Sequence, residues 1–255
     1  MYAVHQIERN ALHPSRRNAV AAGVFFIVAA VAAIAGLALY QVVLGDPGYI
    51  VDRARDDTDV LLGACFEIVL AIAVVGTATA LFPIVRRQSE GVALAYVVGR
   101  LMEAAVIVVG IISLLSIVTL RQDAAGAAGG DGASLIATGK ALVALHDWTF
   151  LFGPGLAIGI NTTLLAWLMY RSQLVPRAIA VVGLIGGPVV FCSSVAVLFG
   201  LYEQTSAVAG LAAFPVFTWE MSLAGWLIAK GFKPSLALDH ATDRPAFGSR
   251  VASAA

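Results

Sequence analysis

The 255 residues are 60% hydrophobic and only 13% charged, and Lys plus Arg balance Asp plus Glu at a formal net charge of zero. A soluble domain carries about 25% charged residues, so this composition, with a mean hydropathy of +0.88, excludes an ordinary water-soluble bundle. The lack of a basic excess argues against a nucleic-acid surface.

Residues 1–18 read as a short cytoplasmic segment carrying Arg9, Arg16 and Arg17. The first apolar run, 19–44, has no charge in 26 residues. It is longer than the apolar core of a signal peptide and reads as an uncleaved membrane span. Further runs follow at 60–85, 91–118, 141–170, 176–201 and 207–229. Each is close to or above the ~20 apolar residues that cross a bilayer as a helix. Lipid offers no partners to backbone groups, so such long, continuous runs must be helices rather than barrel strands. The expected fold is all-α: a polytopic membrane protein with a six-transmembrane-helix bundle over 19–233. A flexible cytoplasmic tail is expected over 234–255.

Basic residues set the orientation. Arg86 and Arg87 lie in the second loop, Arg171 and Arg177 flank the fourth, and Lys230 and Lys233 follow the last run. These segments and both termini are expected in the cytoplasm, in a bacterial inner membrane. Loops 45–59, 119–140 and 202–206 fall on the opposite side. The first of these holds five aspartates around Arg53 and Arg55.

Small residues, among them Gly155, Gly159, Gly183 and Gly187, point to close helix packing. Pro154, Pro188 and Pro215 fall within or near the starts of runs and can bend a helix or free a carbonyl. Cys65 and Cys192 lie inside runs without a CxxC motif and read as small core residues. Trp148 and Tyr40 read as anchors at the membrane surface.

The exceptions inside the apolar runs carry the functional information. Glu67 lies about two turns inside the second run, Arg100 and Glu103 near the middle of the third, and Glu220 near the middle of the sixth. His146 and Asp147 lie in the outer part of the fourth, with Asn161 deeper in the same run. Charges in hydrocarbon are costly and normally face the protein interior with a partner. Arg100 and Glu103, three apart, share a helix face. Carboxylates outnumber the single deep cation, so the set can bind a proton or a cation, and His146 can titrate near neutral pH. The same set also admits a purely structural reading, an ion-pair network locking three helices. No metal-ligand spacing, P-loop, GxGxxG or HExxH occurs, and neither a metal nor a cofactor is expected.

Several stretches together resemble one bacterial membrane family, domain of unknown function 4386. They are the glutamate of the second run, GRLMEA in the third, LHDWTFLFGPG opening the fourth, LMYRSQLVPRAIAVVGLIGG around the fourth loop, and PVFTWEMSLAGWLIAKGFK in the sixth. The resemblance covers approximately residues 15–233. It implies a six-helix membrane fold and matches Glu67, Arg100, His146 and Glu220 to polar positions typical of the family, with Asp147 matched less closely. It implies no chemistry.

Three functions are compatible with this reading. One is a small-molecule or proton-coupled transporter using the buried Glu/Arg/His set. The second is an intramembrane enzyme acting on a lipid-like substrate. The third is a lipid-binding, sensor or assembly subunit. The expected partners are membrane lipids and a small hydrophobic or ionic ligand.

Overall fold

The computed structural model describes residues 2–52, 55–126 and 132–233. The expected tail 234–255 and Arg53 lie outside the described residues. Those described form helices joined by short turns, without a strand among them. The helices are α1 (Tyr2–Leu44), α2 (Thr58–Val85), α3 (Glu90–Gly126), α4 (Gly132–Phe150), α5 (Ile158–Ser172), α6 (Arg177–Leu198) and α7 (Ala207–Ala229). A seven-residue π turn, Leu151–Ala157, fuses α4 to α5. Among the described residues six helical stretches are long and apolar enough to span a bilayer, with α4, the π turn and α5 together forming the fourth. The protein is therefore a multi-pass membrane protein in contact with lipid.

The helices close into a ring. α1 packs on α2 and α7, α2 on α3, α3 on α4 and α5, α5 on α6, and α6 on α7. Large apolar side chains such as Ile34, Ile72, Val98, Ile112, Ile185 and Leu211 are exposed on its outside, as expected where lipid is the solvent. Inside, two apolar cores stack along the bundle axis. The one nearer the basic loops contains Phe26, Tyr96, Leu165 and Trp219. The other contains Tyr40, Leu70, Val74, Ile107 and Leu114. Val74 and Ala78 of α2 belong to different cores, as do Tyr96 and Ala104 of α3. Thr77, Arg100 and Glu103 thus sit at the junction.

Glycines allow the backbones to approach. A Cβ at Gly63 would stand 2.7 Å from the Tyr40 ring, and one at Gly183 would stand 2.6 Å from Trp219. At the basic end, Arg16 donates to the carbonyls of Leu227 (2.8 Å) and Ile228 (2.7 Å). A cation thereby satisfies the last carbonyls of α7.

Three local expectations need correction. Loop 119–140 is largely helix, because α3 runs on to Gly126 and α4 starts at Gly132. The 37 residues of α3 reach about 55 Å, well beyond the ~30 Å of hydrocarbon, so its last turns stand outside the membrane. Tyr40 is no surface anchor: it is fully buried, because Gly63 leaves room for its ring. Cys65 and Cys192 are exposed rather than core residues; single apolar runs do not reveal which face turns inward.

Candidate functional site

Arg100 is the hub of the central site. From α3 its Nη1 donates to both carboxylate oxygens of Glu103, at 3.3 Å each. Helical spacing of three residues makes that pair local. Its Nη2 donates to Glu220 Oε1 of α7 at 3.1 Å. Asn161 of α5 donates from Nδ2 to Glu103 Oε2 at 2.8 Å. The guanidinium carbon stands 5.7 Å from the centre of the Phe26 ring and 5.6 Å from that of Tyr96, within cation–π range. Three helices, α1, α3 and α7, therefore meet on one cation, and α5 joins them through the Asn161–Glu103 bond.

This centre is dry on most sides but not closed. Arg100 and Glu103 are each 3% exposed, whereas Glu220 is 13% exposed. A cavity of about 90 Å³ is lined by Thr77, Arg100, Glu103 and Glu220, with Phe26, Ile107 and Pro154 among its apolar walls. That is room for several waters. The buried Arg100 Nε and Asn161 Oδ1 have no hydrogen-bond partner among the described residues. Asn161 is held against α3 by Gly99, where a Cβ would fall 2.0 Å from Oδ1.

A second polar cluster lies further from the basic end. Glu67, His146, Thr149, Gly110, Phe150, Ile107 and Pro154 line a small space of about 10 Å³. Glu67 is 7% exposed, and no hydrogen bond or ion pair holds its carboxylate among the described residues. Its electrostatic neighbour is His146. The His146 ring meets Tyr40 edge-on at 5.7 Å and stacks on Phe150 at 6.5 Å. Among the described residues the Tyr40 hydroxyl and His146 Nδ1 are buried without a hydrogen-bond partner. Asp147 Oδ1 stands 3.6 Å from that nitrogen and is itself largely exposed.

The sequence set is thus split. Arg100, Glu103, Asn161 and Glu220 converge directly, while Glu67 and His146 form a separate chamber with Asp147 at its rim. Ile107 and Pro154 wall both cavities. Pro154 lies within the π turn, a winding often found at functional sites. Among the described residues no three His, Cys, Asp or Glu side chains gather as a metal set.

Sequence reasoning missed a third polar assembly beyond the membrane. Arg121 of α3 donates to the Asp52 carbonyl from Nε (3.1 Å) and Nη2 (2.6 Å). It also pairs with the Asp57 carboxylate and the Arg55 carbonyl. Its guanidinium carbon lies 4.5 Å from the centre of the Tyr49 ring. The Tyr49 hydroxyl donates to Asp57 Oδ1 at 2.9 Å. Burial, then this carboxylate, pushes the Tyr49 phenol up to about 12, against the opposing pull of Arg121. Beneath the loop lies a cavity of about 140 Å³ lined by Asp46, Tyr49, Ile50, Lys140 and Asp147. The available signal was an arginine in a loop-like stretch expected on the same side as the loop that holds five aspartates.

The family profile described as Domain of unknown function (DUF4386) matches residues 21–231. The chain belongs to this family. The matched region holds all three polar assemblies, so each lies within the family's domain rather than in an appendage. Neither curated proteins nor solved structures provide a match to the chain.

Proposed function

We propose that the protein is a proton-coupled carrier of a small molecule, with the Arg100–Glu103–Glu220 centre as its proton site. One observation carries the reading: a single guanidinium is shared by carboxylates from two helices beside a cavity at mid-span. With both carboxylates ionised the centre carries one excess negative charge. In a low-dielectric interior that excess is costly, and one proton or one monovalent cation cancels it. Neutralising Glu220 weakens its hold on Arg100, which is the tie between α3 and α7. Protonation is thereby coupled to a contact between helices, as alternating access requires. The proline-bearing π turn beside the cavity interrupts the regular α winding of the fourth span, where a helix can bend.

A groove of about 290 Å³ between α5 and α6 is lined by Gly159, Ile160, Thr163, Leu164, Pro188, Phe191 and Cys192. It suits a lipid chain but presents no acid or base, so it supports lipid contact rather than lipid chemistry. The excess of Lys and Arg at the end where the first span enters and α7 ends supports a bacterial plasma-membrane orientation with that end cytoplasmic. An impermeant thiol reagent added to intact cells is expected to spare Gln88→Cys; labelling would reverse the orientation.

The central test is proton flux into sealed vesicles containing the purified chain and a trapped pH dye, driven by a potassium diffusion potential. Flux above that of empty vesicles is expected, with a loss of at least ~10-fold in Glu220→Gln. Equal flux in the variant, or none above empty vesicles, overturns the reading.

A further inference from the structure

Three cavities follow one another from the far end of the bundle to its centre, and each boundary carries a specific residue. Asp147 lines the outer cavity beneath loop 45–52. His146, the preceding residue, lines the small inner chamber with Glu67. Ile107 and Pro154 are shared between that chamber and the Arg100 cavity. We propose that Asp147, His146 and Glu67 form a stepped proton route from the face opposite the basic loops towards the Arg100 centre. This rests on the carrier reading above and adds the side and the order of proton access.

The chamber has the features of a relay rather than of packing. His146 is 3% exposed and Tyr40 fully buried, yet among the described residues His146 Nδ1 and the Tyr40 hydroxyl both lack a hydrogen-bond partner. Buried polar atoms are rarely left so. A volume of about 10 Å³ is the least that admits a water, and the polar walls give that water partners. The charged or titratable groups facing His146 are Glu67 from α2, Tyr40 from α1 and Asp147 on its own helix. From α3, Gly110 and Ile107 line the same space. Gly110 makes the room: a Cβ there would stand 2.6 Å from Thr149 Oγ1 and 3.5 Å from His146 Cδ2.

The steps balance. Asp147 passes a proton to Nδ1, so an O–H bond breaks as an N–H bond forms. The imidazolium releases the proton of its other nitrogen to a water, which passes one of its own to the Glu67 carboxylate. One proton leaves Asp147, one reaches Glu67, and no electron moves. Tautomer exchange resets the ring. Ile107 and Pro154 then separate Glu67 from Glu103 and Glu220. Since Pro154 belongs to the π turn, a change in that turn's winding moves the wall.

The test is a pH jump on the full chain in lipid nanodiscs, with the carboxyl C=O stretch followed by time-resolved infrared. Two protonation signals are expected, one removed by Glu67→Gln and the other by Glu220→Gln. In His146→Gln the Glu220-dependent signal should arrive ~10-fold later at unchanged final amplitude. Asp147→Asn, at an exposed position that tolerates change, should delay it less, and it decides the matter if His146→Gln does not fold. Unchanged arrival overturns the route and leaves the carrier reading standing. No Glu220-dependent signal in the unmodified chain overturns both.

Discussion

Helix α3 carries two buried arginines about 30 Å apart along its axis, and they are bonded in opposite ways. Arg121 is 7% exposed and spends its guanidinium on the carbonyls of Asp52, Arg55 and Asp56, the Asp57 carboxylate and the face of Tyr49. Most of its partners are backbone, which cannot change charge. Arg100 is 3% exposed and borders a cavity; among the described residues it takes only side-chain acceptors and leaves Nε unpartnered. Its partners are carboxylates, which can. The first arrangement fixes a loop onto a helix. The second can be loaded and unloaded. Burial of an arginine therefore says little about its role until its acceptors are known.

The largest expected effect is that of Arg100→Ala. It leaves Glu103 and Glu220 buried without their cation and should cost about 3–5 kcal/mol, read as a lower midpoint of unfolding in mixed detergent micelles. Proton flux should vanish as well. Adding Glu220→Gln to Arg100→Ala should recover part of the lost stability but none of the flux. If the double variant is no more stable than Arg100→Ala, the carboxylate was not charged and the comparison between the two arginines fails.

Arg121→Ala should cost less, about 2–4 kcal/mol from lost charged hydrogen bonds and ring stacking. Its loop 45–52 should exchange amide hydrogens faster. Flux per folded molecule should stay near that of the unmodified chain, because the change lies outside the central cavity. Flux loss there as severe as in Arg100→Ala would erase the distinction between a fixed and a loadable arginine.

A smaller change tests whether the centre depends on its packing. Gly99→Ala sets a Cβ within 2.0 Å of Asn161 Oδ1. Asn161 must move and give up its hydrogen bond to Glu103, for about 1–3 kcal/mol. Thermal unfolding should show the loss, and Asn161→Ala in the Gly99→Ala background should restore some of it by removing the clash. Independent, additive losses would mean that the two residues do not press on each other.

How much of this was legible in the sequence differs between the two arginines. Arg100 stood out because an apolar run surrounds it, and its pairing with Glu103 follows from helical spacing alone. The partner Glu220, 120 residues away, was visible as a charge but not as a contact. Arg121 was hidden for the opposite reason. Its neighbours are polar, so nothing marks the turn at which α3 leaves the membrane and continues as helix. The division of the polar set into two chambers also escaped detection, since Ile107 and Pro154, which separate them, look like any other apolar positions. Tyr40 was misread because its burial depends on Gly63 of another helix. Periodicity sees one helix at a time, and these features belong to pairs.

The weakest expected effect concerns the outer assembly alone. Tyr49→Phe keeps the ring under Arg121 but removes the hydroxyl that donates to Asp57 at 2.9 Å, for about 0.5–1.5 kcal/mol. The alkaline response gives an independent reading. In the folded protein the phenol keeps its proton up to about 12, against 10.0 for the free side chain. Between these values the unfolded chain has released a proton that the folded chain still holds, so stability falls as pH rises through that window. Below it the contribution is complete. Unfolding midpoints measured across the window should therefore decline more steeply in the unmodified chain than in Tyr49→Phe. Parallel declines would show that the phenol does not hold its proton against Asp57, and that the outer assembly is held by the arginine without it.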